Sequence, residues 1–210
     1  MGLQLGQTAP DFTLDSTQGS IHFHDWSEGK WVMFFSHPKD FTPICTTEIG
    51  QFAHRKAEFD QRGVELLGLS VDSVDDHKDW AKDIAKVGGS ELGFPILADP
   101  DLEVAKQYGM FHPEADAKVT VRSVFLIDPS HKVRVILTYP PSIGRSVDEI
   151  LRSLDALQQS DKQGVSIPVD WKPGDEVVVP PSLSDEEVEK QYPGKVRKTT
   201  SYLRFVPPKN

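Results

Sequence analysis

Apolar residues along the first 160 positions follow two periods in alternation. Trp31–Phe35 and Val64–Ser70 are nearly continuous apolar runs, as strands buried on both faces require. Asp11–Leu14 and Ser20–Phe23 predict a short hairpin around Gln18-Gly19. Ile49, Phe52, Ala53 and Phe59 recur at helical spacing and predict one helix from Ile44 to about Gln61. A second helix is expected over Val74–Lys86, opening after Ser73, then a strand at Phe94–Leu97 and a short helix at Leu102–Tyr108. Val121–Ile127 and Val133–Thr138 flank the tight turn 128–132, so they pair antiparallel. Ser146-Val147-Asp148-Glu149 is a capping box, and it opens a last helix reaching about Gln159. Alternating strands and helices with one antiparallel pair predict an α/β domain: a mixed central sheet flanked by helices.

The pattern changes after residue 160. Residues 161–210 hold seven of the 16 prolines and balance eight basic against eight acidic residues. The segment is short for a large core of its own, yet it keeps strand-like Val177–Val179 and Tyr202–Val206, and Ser184 with Glu187 marks a helix start. The expected division is therefore a domain over 1–160 and a small α+β domain over 161–210. The apolar residues Val177, Val179, Leu203 and Phe205 are expected to form its buried face and to help a homodimer form.

Charge narrows the partners. The chain carries 23 Lys and Arg against 32 Asp and Glu, a net charge of -9. Such a chain repels phosphate backbones and anionic lipid, so neither nucleic acid nor a membrane is an expected partner. No run approaches the ~20 apolar residues that span a bilayer, and Met1–Gln7 lacks the features of a signal peptide. A soluble cytoplasmic protein is expected.

The one cysteine, Cys45, rules out an intramolecular disulfide and a multi-cysteine zinc site. Its surroundings are informative. Ser36 to Glu48 lies between a buried strand and a helix; Pro43 suits the first helical position and Thr42 the N-cap. Cys45 is then the third residue of a first turn whose N–H groups lack intrahelical partners, and that position stabilises a thiolate. The cap is expected to bring the Thr42 hydroxyl near the Cys45 N–H.

The spacing Pro38-x-x-x-Thr42-x-x-Cys45, inside His37–Glu48, resembles the active-site signature of the peroxiredoxins. Val121–Asp128 resembles the family strand that supplies an arginine, and Tyr139–Arg152 the segment before the last core helix. Pro168–Asp175 and Lys198–Pro208 resemble the extra domain of the 1-Cys, peroxiredoxin-6 class. The resemblance implies a thioredoxin-like core and reduction of hydrogen peroxide and organic hydroperoxides, with no cofactor and no metal. It makes Cys45 the peroxidatic residue and has Thr42 hydrogen-bond the peroxide. Pro38 would shield the site and Arg122 would stabilise the thiolate and the breaking O–O bond, with His37, Glu48 and Arg145 in support. With no second cysteine, the sulfenic acid needs an external thiol, glutathione or a thioredoxin-type protein. A homodimer or higher homo-oligomer is implied.

Three other readings are weaker. His22 and His24 with His37 and Cys45 would make a metal set only by gathering scattered residues. Lipid hydrolysis, associated with mammalian members of the class, needs a serine where this chain has Lys30, and no Gly-x-Ser-x-Gly elbow occurs. A redox sensor would use the same chemistry without sustained turnover.

Overall fold

A computed structural model of the chain describes residues 2–116 and 118–209. The chain forms two compact units, Met1–Val147 and Asp148–Asn210. No helix among the described residues is long and apolar enough to cross a membrane.

The first unit is built on a seven-stranded sheet. Its strands are β1 (Thr13–Ser16), β2 (Gly19–His22), β3 (Trp31–Ser36), β4 (Val64–Ser70), β5 (Ile96–Ala98), β6 (Arg122–Ile127) and β7 (Val133–Tyr139), in the spatial order β2-β1-β5-β4-β3-β6-β7. β3, β4 and β5 run parallel, β6 adds antiparallel to β3 and β7 antiparallel to β6, so the sheet is mixed as the pattern predicts. The two apolar runs became the two central strands because both of their faces are covered.

Alternation along β3 sorts its side chains. Val32 and Phe34 enter one core cluster with Phe23, Leu67, Tyr108 and Phe125. The Phe34 and Tyr108 rings meet edge to face, 4.9 Å between centroids. Truncating a ring as fully enclosed as Phe34 costs about 3–5 kcal/mol. Phe35 points to the opposite face and packs on Phe52, 5.0 Å between centroids.

Phe52 belongs to α2 (Pro43–His54), which follows the one-turn α1 (Phe23–Trp26). The single helix expected from Ile44 to Gln61 is two, because the chain leaves helical geometry at Arg55 (φ -99°, ψ 11°) before α3 (Lys56–Asp60). Phe52 and Phe59 are both buried, so the apolar period runs across the break and conceals it. α4 (Val74–Gly88) opens on a capping box between Ser73 and Asp76 and ends at Gly89 in the left-handed region, φ 70°. A Cβ at Gly88 would run into the backbone of Gly50, so α2 and α4 cross with their backbones in contact. α5 (Glu103–Tyr108) completes the unit.

The second unit takes in α6 (Val147–Gln163) after its first residue, β8 (Val177–Val178), α7 (Asp185–Gln191), β9 (Arg197–Lys198) and β10 (Arg204–Val206). Ser184 and Glu187 form the capping box of α7. The three strands pair antiparallel in the order β8-β10-β9. Val177, Val179, Trp171, Val188, Tyr192 and Val206 make the unit's own core. The parity of β10 is opposite to expectation. Val206 and Arg204 are buried, Leu203 and Phe205 only partly so, and the Arg197 guanidinium lies 4.0 Å from the centre of the Phe205 ring. Arg204 goes inward because Asp185 and the Pro180 carbonyl accept from its guanidinium.

Candidate active site

The site forms at the carboxyl end of β3, where ligands bind in sheets of this kind. Thr42 is the N-cap of α2 and Pro43 its first residue, so Cys45 sits in the first turn with no acidic residue beside it. The preceding residue, Phe41, holds φ at 55°, a conformation that costs a non-glycine residue about 1 kcal/mol or more. One detail differs from the sequence reading. The Thr42 hydroxyl makes no cap hydrogen bond but donates to the Lys39 carbonyl at 2.8 Å. The Thr42 carbonyl accepts instead from Thr46 Oγ1, which in turn accepts from the Trp80 indole N–H.

The Cys45 sulfur is fully buried, and Arg122 Nη1 donates to it at 3.3 Å. Arg122 is the first residue of β6, which places it beside the end of β3; Phe35 pairs with Val124 two residues on. Its Nε and Nη2 donate to the Pro141 carbonyl at 3.0 and 2.7 Å, and Nη1 also donates to Glu48 Oε2. Glu48 lies three residues after Cys45 on α2 and receives Arg145 as well, through the Arg145 backbone N–H, Nε and Nη2. Arg145 Nη1 bonds the Ser36 and Ser123 carbonyls, and its guanidinium lies 5.4 Å from the centres of the Phe35 and Phe52 rings. Burial pushes the Glu48 carboxyl up, but the charges and hydrogen bonds of Arg145 and the charge of Arg122 outweigh it and hold Glu48 ionised, below the usual carboxylate range. Two guanidiniums against one carboxylate leave a unit positive charge facing the sulfur.

Arg122 thus contacts Cys45 directly, and Glu48 and Arg145 join it through ion pairs. Pro38 is buried in the loop between β3 and α2, and Thr42 is half-buried. His37 is fully buried, but its recorded partners are away from the sulfur: Nε2 meets Asp40 Oδ1 at 2.7 Å, and the ring packs on Trp80. Asp40 Oδ2 meets His77 Nδ1 at 2.6 Å. Asp40 and His77 escape the sequence reading. Asp40 lies within the motif, three residues from His37, whereas His77 is on α4 and no local pattern couples it to the loop. His22 and His24 do not join His37: His22 bonds Asp25, and His24 stacks on His131 with centroids 4.2 Å apart.

The chain matches the AhpC/TSA family over residues 5–136 and the C-terminal domain of 1-Cys peroxiredoxin over residues 156–195. It is 47% identical over 208 residues to a 1-Cys peroxiredoxin of Dictyostelium discoideum, covering 99% of this chain and 86% of that one. Peroxiredoxin-6 of Gallus gallus is 45% identical over 219 residues, covering 98% of each. Among solved structures, a cysteine-to-serine mutant of peroxiredoxin 6 from Arenicola marina superposes with a TM-score of 0.93 at 39% identity, with all of both chains covered. A yeast mitochondrial 1-Cys peroxiredoxin, solved to explain thiol resolution via glutathione/thioredoxin systems, gives 0.91 at 45% identity, covering 98% of this chain and 99% of that one. A buried lone cysteine held by an arginine, on a thioredoxin-like core with its C-terminal domain, places this chain in the AhpC/TSA family as a 1-Cys peroxiredoxin.

Proposed function

We propose that Cys45 reduces hydrogen peroxide and organic hydroperoxides as the peroxidatic thiolate, with Arg122 as its principal partner. The observation that carries this is the Arg122 Nη1–Cys45 Sγ contact at 3.3 Å, inside a cluster with one excess positive charge. The thiolate attacks one peroxide oxygen, an S–O bond forms, the O–O bond breaks, and the alkoxide or hydroxide leaves and takes a proton. Arg122 stabilises charge along that axis. Glu48 and Arg145 hold Arg122 in place. Pro38, buried beside the site, excludes water, and Thr42 turns its hydroxyl from Lys39 to the peroxide when substrate enters.

A first external thiol displaces water from the sulfenic acid and forms a mixed disulfide; a second releases the Cys45 thiol. Glutathione or a thioredoxin-type protein fits this role, as its yeast relative's name suggests. The sulfur has no exposed surface, so a thiol of that size reaches it only when the first turn of α2 moves.

We also propose a homodimer. β7 is the outer strand of the sheet and carries a single charge, Arg134, in seven residues; beyond Val133, which bonds Gly6 and Gln7, this apolar strand suits extension by a second copy. Sedimentation showing a monomer at micromolar concentration overturns this. The compartment we propose is the cytoplasm, where reductants keep a lone thiol reduced; localisation to an organelle overturns it.

The test of the activity is steady-state peroxide consumption across a panel of thiol reductants, with Cys45→Ser alongside. Turnover in the wild type and its loss in the folded variant are expected. Activity retained above a few per cent in Cys45→Ser removes Cys45 from the reaction.

A further inference from the structure

His37, Asp40 and His77 form a buried chain of hydrogen bonds that the reaction as described leaves unused. His37 Nε2 meets one carboxylate oxygen of Asp40 and His77 Nδ1 meets the other, at 2.7 and 2.6 Å. His77 Nε2 faces the Leu97 carbonyl at 3.2 Å, which ties α4 to β5, and the Asp40 N–H donates to Asp72. All three side chains are buried to within 1% of full enclosure. One polar atom of the set has no partner among the described residues: His37 Nδ1. An orphaned buried nitrogen is costly unless something else uses it. Arg145 bonds the carbonyl of Ser36, the residue before His37, and its charge acts on the His37 ring.

Resting on the peroxidase reading above, we propose that Asp40 and His77 are positioning residues of the site, fixing His37 as its Nε2–H tautomer so that Nδ1 is a bare proton acceptor. An ionised Asp40 can only accept, so the hydrogen between it and His37 belongs to Nε2. Burial pushes the Asp40 carboxyl up, but its bonds to His37 and His77 outweigh this and keep it ionised. Burial, with the charges of His77 and Arg145, keeps the His37 ring neutral against the pull of Asp40. The titratable and charged groups around His37 are Asp40, His77 and Arg145, with Asp72 behind Asp40. When the thiolate attacks a hydroperoxide, the S–O bond forms and the O–O bond breaks. The peroxide proton passes to Nδ1 and on to the departing alkoxide, leaving a sulfenate and an alcohol. A third group orienting the base is the arrangement used wherever a histidine moves protons.

The test pairs ring NMR with rapid kinetics on the full chain. Long-range 1H–15N spectra, with His37 assigned by its loss in His37→Asn, should show hydrogen on Nε2 and none on Nδ1 at pH 7. In His77→Leu the Asp40 carboxylate loses the bond that holds its second oxygen and is free to turn away from Nε2, so the ring should populate both tautomers. Oxidation by hydrogen peroxide should slow about tenfold or more in that variant, the usual scale for losing the partner that orients a histidine. Its pH profile should shift. His77→Asn keeps a donor where Nδ1 was and should recover most of the rate. A wild-type His37 protonated on Nδ1, or a folded His77→Leu with the wild-type rate and pH profile, overturns the proposal. If His77→Leu does not fold, the wild-type tautomer and the rate of His77→Asn decide it. A wild-type protein that consumes no peroxide refutes the peroxidase reading, whereas the tautomer result stands or falls separately.

Discussion

Glu48 and Arg145 are joined by three hydrogen bonds: the Arg145 backbone N–H and Nε reach Oε1 at 2.6 and 2.9 Å, and Nη2 reaches Oε2 at 3.0 Å. The pair spans 97 residues and fixes the loop after β7 to the helix that carries Cys45. Its role is to spend one of two positive charges, so that a single unit remains for the sulfur.

Replacing that carboxylate tests the arrangement. Glu48→Gln keeps the shape but leaves two buried guanidiniums without their counterion. Breaking a buried pair costs about 3–5 kcal/mol. The urea midpoint should fall accordingly, and peroxide oxidation of Cys45 should slow because Arg122 loses an anchor. An unchanged midpoint would mean that Glu48 is a spectator.

Stability should respond to acid in two stages. His37 is held below its ordinary value, with burial the largest cause. The unfolded chain therefore takes up a proton that the folded one refuses, and stability starts to decline below about pH 6.5. Glu48 and Asp40 are also held low, because their cationic and imidazole partners outweigh burial. Their contribution is fully present above the unfolded carboxylate value of about 4 and is lost as pH falls through the folded values. Urea midpoints taken from pH 8 to pH 3 should slope gently and then steeply. A flat profile down to pH 3 contradicts the assignment, and Glu48→Gln should flatten the steep part.

The two-glycine crossing of α2 and α4 gives a prediction about positioning. Gly88→Ala puts a methyl against the Gly50 backbone, which cannot yield as a side chain would. Overpacking of this kind costs about 1–3 kcal/mol. Gly164→Ala, where a Cβ meets nothing within 4 Å but φ is 68°, separates backbone strain from a steric clash. Gly88→Ala should lower the thermal midpoint and slow peroxide reduction by moving α2, whereas the control should leave the rate alone. Equal rates in both would detach the helix crossing from the site.

What could be read from the chain follows from where the information lies. β4 appears at Val64–Ser70 as read, because a doubly covered strand writes its burial as an unbroken run. Cys45, Thr42 and Pro43 were placed by the local chemistry of a helix start, which needs no tertiary contact. Contacts across the chain were not legible in that way. Arg122 and Arg145 are legible only through the resemblance of their segments, and His77 has no such signal, because only the packing of α4 against β5 and the loop brings it to Asp40. The sequence points to the wrong parity for β10 because apolar Leu203 and Phe205 outweigh Arg204 in any hydropathy pattern. The structure buries Arg204 because a carboxylate and a carbonyl accept from it. The break at Arg55 left no mark because the apolar period continues through it.

Arg122 offers the sharpest discrimination between charge and geometry. Its guanidinium uses Nε and Nη2 on the Pro141 carbonyl and Nη1 on both Cys45 and Glu48. Arg122→Ala removes charge and donors together and should slow peroxide oxidation about a hundredfold, the usual cost of losing one transition-state donor of about 3 kcal/mol. Arg122→Lys keeps the charge, but a single ammonium on a flexible stem cannot hold Pro141, Glu48 and the sulfur at once. If charge alone matters, lysine should restore most of the rate. The planar fork locked by the Pro141 carbonyl argues otherwise: a neutral hydroperoxide gains little from an unaimed charge and much from a donor already pointed at the sulfur. Lysine should therefore remain at least tenfold slow. Stopped-flow fluorescence can follow the reaction, with Trp80 as reporter because its indole bonds Thr46 on the helix of Cys45. A wild-type rate for Arg122→Ala at pH 7 would reduce Arg122 to a charge at the end of a strand.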